Sequence, residues 1–193
     1  FGENGFFYIS YYDTNIGTHN VVYTDIENTD NYDHIYQSDL CGWVGQLGYN
    51  KDSIYGANVF TAEGNETLKA ASFYATGKDS QYELYVLRQF EDETSLEKMI
   101  PVASGKLGNA GYYTVDFNQG IEVDAGERYA VVLYIITPGS VHPMAIEYAA
   151  DEATENVDLD DGESYISANG SKWVSVDTVE KSNLCIKAFS DNR

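Results

Sequence analysis

The sequence predicts an all-β fold, a β-sandwich of antiparallel sheets, and three observations predict it. Apolar and polar residues alternate with period two over many short runs, as in strands that bury one face. Gly, Asn and Asp recur between those runs at the spacing of hairpin turns. From about residue 55 onward no stretch holds a helical period.

The elements follow in order. Runs 57–62 and 68–75 read as strands, and in Gln81-Tyr82-Glu83-Leu84-Tyr85-Val86-Leu87-Arg88 the residues Tyr82, Leu84 and Val86 share one face. Next, 93–98 holds the one helical turn on offer, although Pro101 and ordinary turn chemistry read better there as a long hairpin loop. Gly111 to Phe117 repeats the alternation through Tyr113, Val115 and Phe117, with Ile121 and Val123 continuing it into the Asp124-Ala125-Gly126-Glu127 turn. Tyr129 to Ile135 is apolar on both faces, as a central strand must be. Further strands are expected at 144–148, 164–167, 172–176 and 184–189. The expected core is Tyr82, Leu84, Val86, Val115, Phe117, Val131, Leu133 and Ile186. Residues 13–38 are rich in Asn, Asp and Thr, and they read as a linker that packs on the module and holds a short strand, with Val21-Val22-Tyr23 as its apolar run.

Bulk properties narrow the function. With 193 residues, 43% of them apolar, the chain can fill one core of ordinary size plus a short appendage. Its 31 acidic and 11 basic side chains give a net charge of -20, which repels phosphate backbones and anionic membrane surfaces. Nucleic-acid binding is therefore not expected, and membrane insertion is not either, since no apolar run approaches the ~20 residues of a spanning helix. Cys41 lies in a loop-like segment and Cys185 in a strand-like one. A core of this size stands without a staple, so both are expected as free thiols, Cys185 buried as a small hydrophobe.

Several phrases carry a family likeness. GWVGQLGY (42–49), GANVFTA (56–62), SFYAT (72–76), YELYV (82–86), GYYTVDF (111–117), AGERYAVVL (125–133), GESYISANGSKW (162–173) and NLCIKAF (183–189), in this order, resemble the lectin-like domain that follows papain-like peptidase domains in surface proteins of anaerobic bacteria and some archaea. GENGFFYIS (2–10) resembles the aromatic closing strand of the peptidase domain itself. The resemblance implies a jelly-roll-like β-sandwich, an upstream peptidase domain in cis and an extracellular or cell-surface location. It divides the chain into a peptidase tail (1–12), a linker (13–30) and the module (31–190). The implied role is ancillary, holding a secreted cysteine peptidase to a surface through carbohydrate, or alternatively orienting it through an extracellular protein. The family often carries Tyr-Asp before its Gly-Trp, whereas Ser38-Asp39-Leu40-Cys41 stands here, which makes Cys41 a local feature.

Catalysis by the chain itself is not expected. A thiol nucleophile needs an adjacent base, and Cys41-Gly42-Trp43 only partly echoes the peptidase nucleophile signature. His19, His34 and His142 read as surface or structurally satisfied histidines. Carbohydrate recognition uses aromatic rings that stack on a pyranose, with carboxylates and amides for its hydroxyls. Among the 17 tyrosines and two tryptophans, Trp43, Tyr49 and Tyr55 lie in loop-like surroundings and are the candidate binding rings, while Trp173 reads as a strand residue of the core or rim. The charge points to neutral carbohydrate, or to an acidic one bridged by calcium held in acidic loops such as Asp158 to Glu163. Calcium is the candidate cofactor, with Asp158, Asp160, Asp161 and Glu163 as candidate ligands beside Gly162, although their spacing lacks the closing bidentate Glu of a calcium loop.

Overall fold

The computed structural model describes residues 4, 6, 8–16 and 21–193, apart from the side chain of Asp177. The chain separates into two units, Phe1–Asn31 and Tyr32–Arg193. In the first, the expected strand over 1–12 falls partly outside the described residues. Phe6 makes an isolated bridge, and a turn at 11–12 is closed by the Asp13 N–H donating to the Ser10 carbonyl at 3.0 Å. Val21, Val22 and Tyr23 form no strand and are exposed. The short strand expected within 13–38 is His34–Tyr36, inside the second unit.

Thirteen strands build that unit: β1 (His34–Tyr36), β2 (Gly45–Leu47), β3 (Ser53–Thr61), β4 (Glu66–Ala75), β5 (Ser80–Leu87), β6 (Ile100–Leu107), β7 (Gly111–Val123), β8 (Arg128–Ile136), β9 (Met144–Glu147), β10 (Glu163–Ser167), β11 (Val174–Ser175), β12 (Asn183–Leu184) and β13 (Ile186–Asn192). All pairings are antiparallel. A four-stranded sheet runs β1-β13-β4-β7, a six-stranded sheet runs β11-β10-β3-β8-β5-β6, and a three-stranded sheet runs β12-β9-β2.

Period-two patterning decides which side chains meet. Leu68, Ala71 and Phe73 of β4 and Ile186 and Ala188 of β13 share one buried cluster with Ile54 of β3, Leu84 and Val86 of β5, and Val131, Leu133 and Ile135 of β8. Leu47, Met144, Ile146 and Leu184 of the three-stranded sheet join it. Each large aliphatic side chain buried here contributes roughly 1.5–3 kcal/mol over an exposed one. Every residue of the expected core lies in this cluster or, for Tyr82 and Val115, packs against it.

The run apolar on both faces is β8, second from neither edge of the six-stranded sheet. Its opposite side chains, Ala130 and Val132, enter a second apolar layer with Ala57, Val59, Leu87, Phe90, Leu96 and Trp173. Leu96 arrives on a 3-10 helix, Glu93–Lys98, where the hairpin loop was expected. The helix forms because Asp92 caps it, its carboxylate accepting the Thr94 and Ser95 N–H groups while the Ser95 hydroxyl accepts the Asp92 N–H. Trp173 accordingly belongs to this outer layer, and the strand expected at 172–176 is only Val174–Ser175.

Candidate carbohydrate-binding face

The three rings singled out in the sequence do not share a surface. Tyr49 packs against the main core. Trp43, in the segment leading to β2, tilts on Tyr74 of β4 at 5.8 Å between ring centroids. Since Phe73 points into the core, Tyr74 points out of the four-stranded sheet. Tyr55 lies on β3 with the second apolar layer, on the outward side of the six-stranded sheet.

Tyr55 is also half-buried. Its ring stacks with that of Tyr134, its partner across β3 and β8, at 4.2 Å and 21°. Trp173 meets it edge-on at 6.1 Å, and the Cβ position of Gly170, where φ is +76°, lies 3.2 Å from the ring. Gly170 is held there by Ser167, whose hydroxyl accepts its N–H at 3.0 Å, and its carbonyl accepts the Trp173 indole N–H at 3.2 Å. Both rings are half-buried; Tyr55 braces Tyr134, and Tyr134 is the one that borders a hollow.

Tyr134 lines a hollow of about 370 Å³ with Gln81, Tyr82, Glu83, Ser104, Gly105, Lys106 and Ile136. The register explains the array. Gln81 faces Lys106 and Ile136 across its two neighbouring strands, and Glu83 faces Ser104 and Tyr134, so six side chains point outward in two rows. Glu83 accepts a hydrogen bond from the Tyr85 hydroxyl. That hydroxyl's pKa is raised by burial and then by this bond and the Glu83 charge, so it remains a donor and holds the carboxylate in place. The face therefore offers an aromatic plane flanked by an acceptor, an amide, a hydroxyl and a cation, the set a pyranose needs. Tyr134 interrupts the apolar run of β8, and that was its one signal in the sequence.

The four candidate calcium ligands also separate. Asp160 pairs with Lys181 at 2.9 Å, and Glu163 binds Arg128 and the Tyr165 hydroxyl. Asp158 and Asp161 instead border a buried polar knot centred on Asn183. The Asn183 amide nitrogen lies 3.0 Å from the Ser38 carbonyl, 2.9 Å from the Glu147 carboxylate and 2.8 Å from the Asp158 carbonyl. An amide nitrogen has two protons for these three oxygens, so one proton is shared between two of them. Burial, then the Asp158 charge, raises the Asp161 carboxyl pKa, whereas the Asn183 side chain lowers it by hydrogen bonding. Among the described residues no three His, Cys, Asp or Glu side chains form a metal cluster. An ion here would need the two carbonyls and the amide oxygen of Asn183 as well.

Both cysteines are free, Cys185 buried and Cys41 exposed. The Cys41 thiol pKa is raised by desolvation and by Glu147, the reverse of thiolate activation. His142 Nδ1 lies 3.3 Å from the Gly48 carbonyl. His34 is not in a polar linker as expected. It sits on β1, with Nε2 2.9 Å from the Asn192 side-chain oxygen. His19 lies outside the described residues.

Residues 35–190 match the family model described as "Lectin like domain". No curated protein matches the chain. Two solved structures are similar. One is a clostridial cysteine protease, Cwp84, after propeptide cleavage, with a TM-score of 0.69, 24% identity, and coverage of 83% of this chain and 40% of that one. The other holds the cysteine protease and lectin-like domains of Cwp84, a surface layer associated protein of Clostridium difficile, with a TM-score of 0.65, 21% identity, and coverage of 83% of this chain and 36% of that one. The chain therefore spans less than half the length of either. At these identities the likeness is one of fold.

Proposed function

The chain belongs to the lectin-like domain family, and from that premise we propose that it is a noncatalytic ancillary module of a secreted, surface-associated cysteine peptidase and binds neutral carbohydrate through the outer face of its six-stranded sheet. The observation that carries the reading is Tyr134, braced by Tyr55 at 4.2 Å and bordering a hollow of about 370 Å³ with Gln81, Glu83, Ser104 and Lys106. A peptidase domain in cis is supported by the relatives, whose solved structures join the same fold to a cysteine protease. A noncatalytic role is supported by the raised thiol pKa of Cys41.

The charge of -20 selects the ligand's sign. Sulfated or uronate polymers approach against a field that acts over a Debye length of about 8 Å at physiological salt, and neutral sugars do not. A calcium ion held by the oxygens around Asn183 belongs to the same reading, tying the loop that carries Asp158 to β9 and β12. It is supported by the crowding of three oxygens on one amide nitrogen.

A glycan array probed with the chain and with Tyr134→Ala tests the sugar reading. Neutral glycans should be retained by the parent and lost by at least tenfold in the variant. Retention of nothing on the array, with capture of an extracellular protein instead, would favour an architectural module. Equal retention by the variant would remove this face from consideration.

A further inference from the structure

The outward side of the opposite, four-stranded sheet carries a second set of rings. Trp43 is 36% exposed and leans on Tyr74, and Tyr74 meets Tyr112 of β7 at 5.0 Å, with Tyr112 43% exposed. The rings are braced. The Tyr112 hydroxyl donates to the Ser72 hydroxyl at 2.6 Å. Gly42, where φ is +70°, places its Cβ position 3.0 Å from the Tyr74 hydroxyl oxygen, so the chain turns tightly over that ring before presenting Trp43. Trp43 thus keeps about a third of its surface open above rings that are fixed beneath it.

Two properties select the occupant. Successive rings are inclined by 54° and 58°, so they form steps and present no flat apolar plane. Stepped rings suit separate sugar units of a turning chain, and they suit a flat protein surface poorly. Leu40, three residues before Trp43, and Ile35 on β1 are also exposed, but with the two exposed rings they still fall short of the roughly 800 Å² that each partner buries in a stable protein interface. The net charge of -20 disfavours anionic polymers at any face of the chain.

We infer that Trp43 and Tyr112 form a second binding surface for a neutral polysaccharide chain, back to back with the Tyr134 face, so that one module bridges two glycan chains. The bridging rests on the Tyr134 reading, whereas the second surface does not. Two weak sites on opposite sheets give avidity on a polymer-coated surface and link neighbouring chains, which a single face cannot do.

A two-layer capture assay tests it. Immobilised neutral polysaccharides (mannan, xylan, starch and β-glucan, each in turn) are loaded with the full chain, and the same polysaccharide in labelled soluble form is then added. The parent should capture the second layer. Trp43→Ala and Tyr112→Ala should each still bind the first layer, roughly tenfold more weakly, and capture little of the second. Tyr134→Ala should behave the same way, and the variant combining Trp43→Ala with Tyr134→Ala should bind neither. Trp43→Phe should restore capture, and unchanged melting midpoints exclude misfolding. Undiminished second-layer capture by Trp43→Ala and Tyr112→Ala overturns the second surface. First-layer binding by the parent with no second layer overturns the bridging and leaves the Tyr134 reading intact. Binding to none of the four polysaccharides counts against both.

Discussion

The hydroxyl of Tyr36 lies 2.7 and 2.9 Å from the two carboxylate oxygens of Glu66, a residue with no exposed surface. Ser190 donates a second hydrogen bond and the Gly64 N–H a third, at 2.8 Å. Burial alone would raise the Glu66 carboxyl pKa, and these donors hold it below the ordinary value instead. The contact ties β1 to β4 and β13, the strands that open and close the sandwich. Tyr36→Phe should destabilise the module by about 1–3 kcal/mol, read from the urea midpoint, because a buried carboxylate loses a donor. A change under about 0.5 kcal/mol would show that solvent replaces the hydroxyl.

The same corner sets a pH dependence. His34 meets the Asn192 side-chain oxygen at 2.9 Å, Glu63 at 3.4 Å and Glu66 at 4.0 Å. The Asn192 bond, and behind it the two carboxylates, raise its pKa above the ordinary histidine value of 6.5 against an opposing desolvation. A raised folded pKa contributes stability that is complete below about 6.5 and is lost as pH rises through the folded value. The lowered Glu66 pKa contributes stability present above 4.5 and lost as pH falls through its folded value. Urea midpoints should therefore drop on both sides of mildly acidic pH. His34→Gln should flatten the alkaline limb and soften the acid limb slightly, since the His34 charge also helps lower the Glu66 pKa, and an alkaline limb unchanged in that variant would exclude His34.

Which parts were legible in the sequence follows from how local their signals are. Alternation named Leu84, Val86, Val115 and Phe117 correctly, because a strand with one buried face writes its burial into successive residues. β6 was missed since Pro101 and Gly105 demote a strand, and an edge strand of the six-stranded sheet tolerates both. β1 and β2 span three residues each, too few to show a period. The site fared worse. Loop-like surroundings point to Tyr55, whereas the cross-strand stack of Tyr55 on Tyr134 and the hollow beside Tyr134 depend on β3–β8 register, which no local run of residues records. The polar knot joins Ser38, Glu147, Asp158 and Asn183, and no local pattern connects such distant positions.

Gly48 marks where β2 meets the chain entering β9. A Cβ there would lie 2.7 Å from the His142 Cα and from the Val141 carbonyl oxygen, backbone atoms that cannot rotate away. Gly48→Ala should cost about 1–3 kcal/mol by separating the Leu47 and Met144 pair. Gly108→Ala is the matched control, as no atom lies within 4 Å of its added carbon. Equal thermal midpoints for the two variants would mean that this approach relaxes freely.

Calcium gives the last expectation. An ion among the Ser38 and Asp158 carbonyls, Glu147, Asp161 and the Asn183 amide would bind the folded chain alone, since β9 pairing with β12 sets Glu147 opposite Asn183 and the loop carbonyls meet there only when the chain is folded. Ligands that bind only the folded state stabilise it by about 2.7 kcal/mol at a hundredfold excess over Kd. The thermal midpoint should therefore rise with added calcium and fall with chelator, and Asp161→Asn should blunt that response. Asp160→Asn should leave it unchanged, because that carboxylate is engaged by Lys181 at 2.9 Å, away from the knot. A midpoint equal in calcium and in chelator would sink the expectation. It would then follow that the three oxygens around Asn183 are held by the amide alone, and that the acidic loop from Asp158 to Glu163 is tied down by Lys181 and Arg128 rather than by an ion.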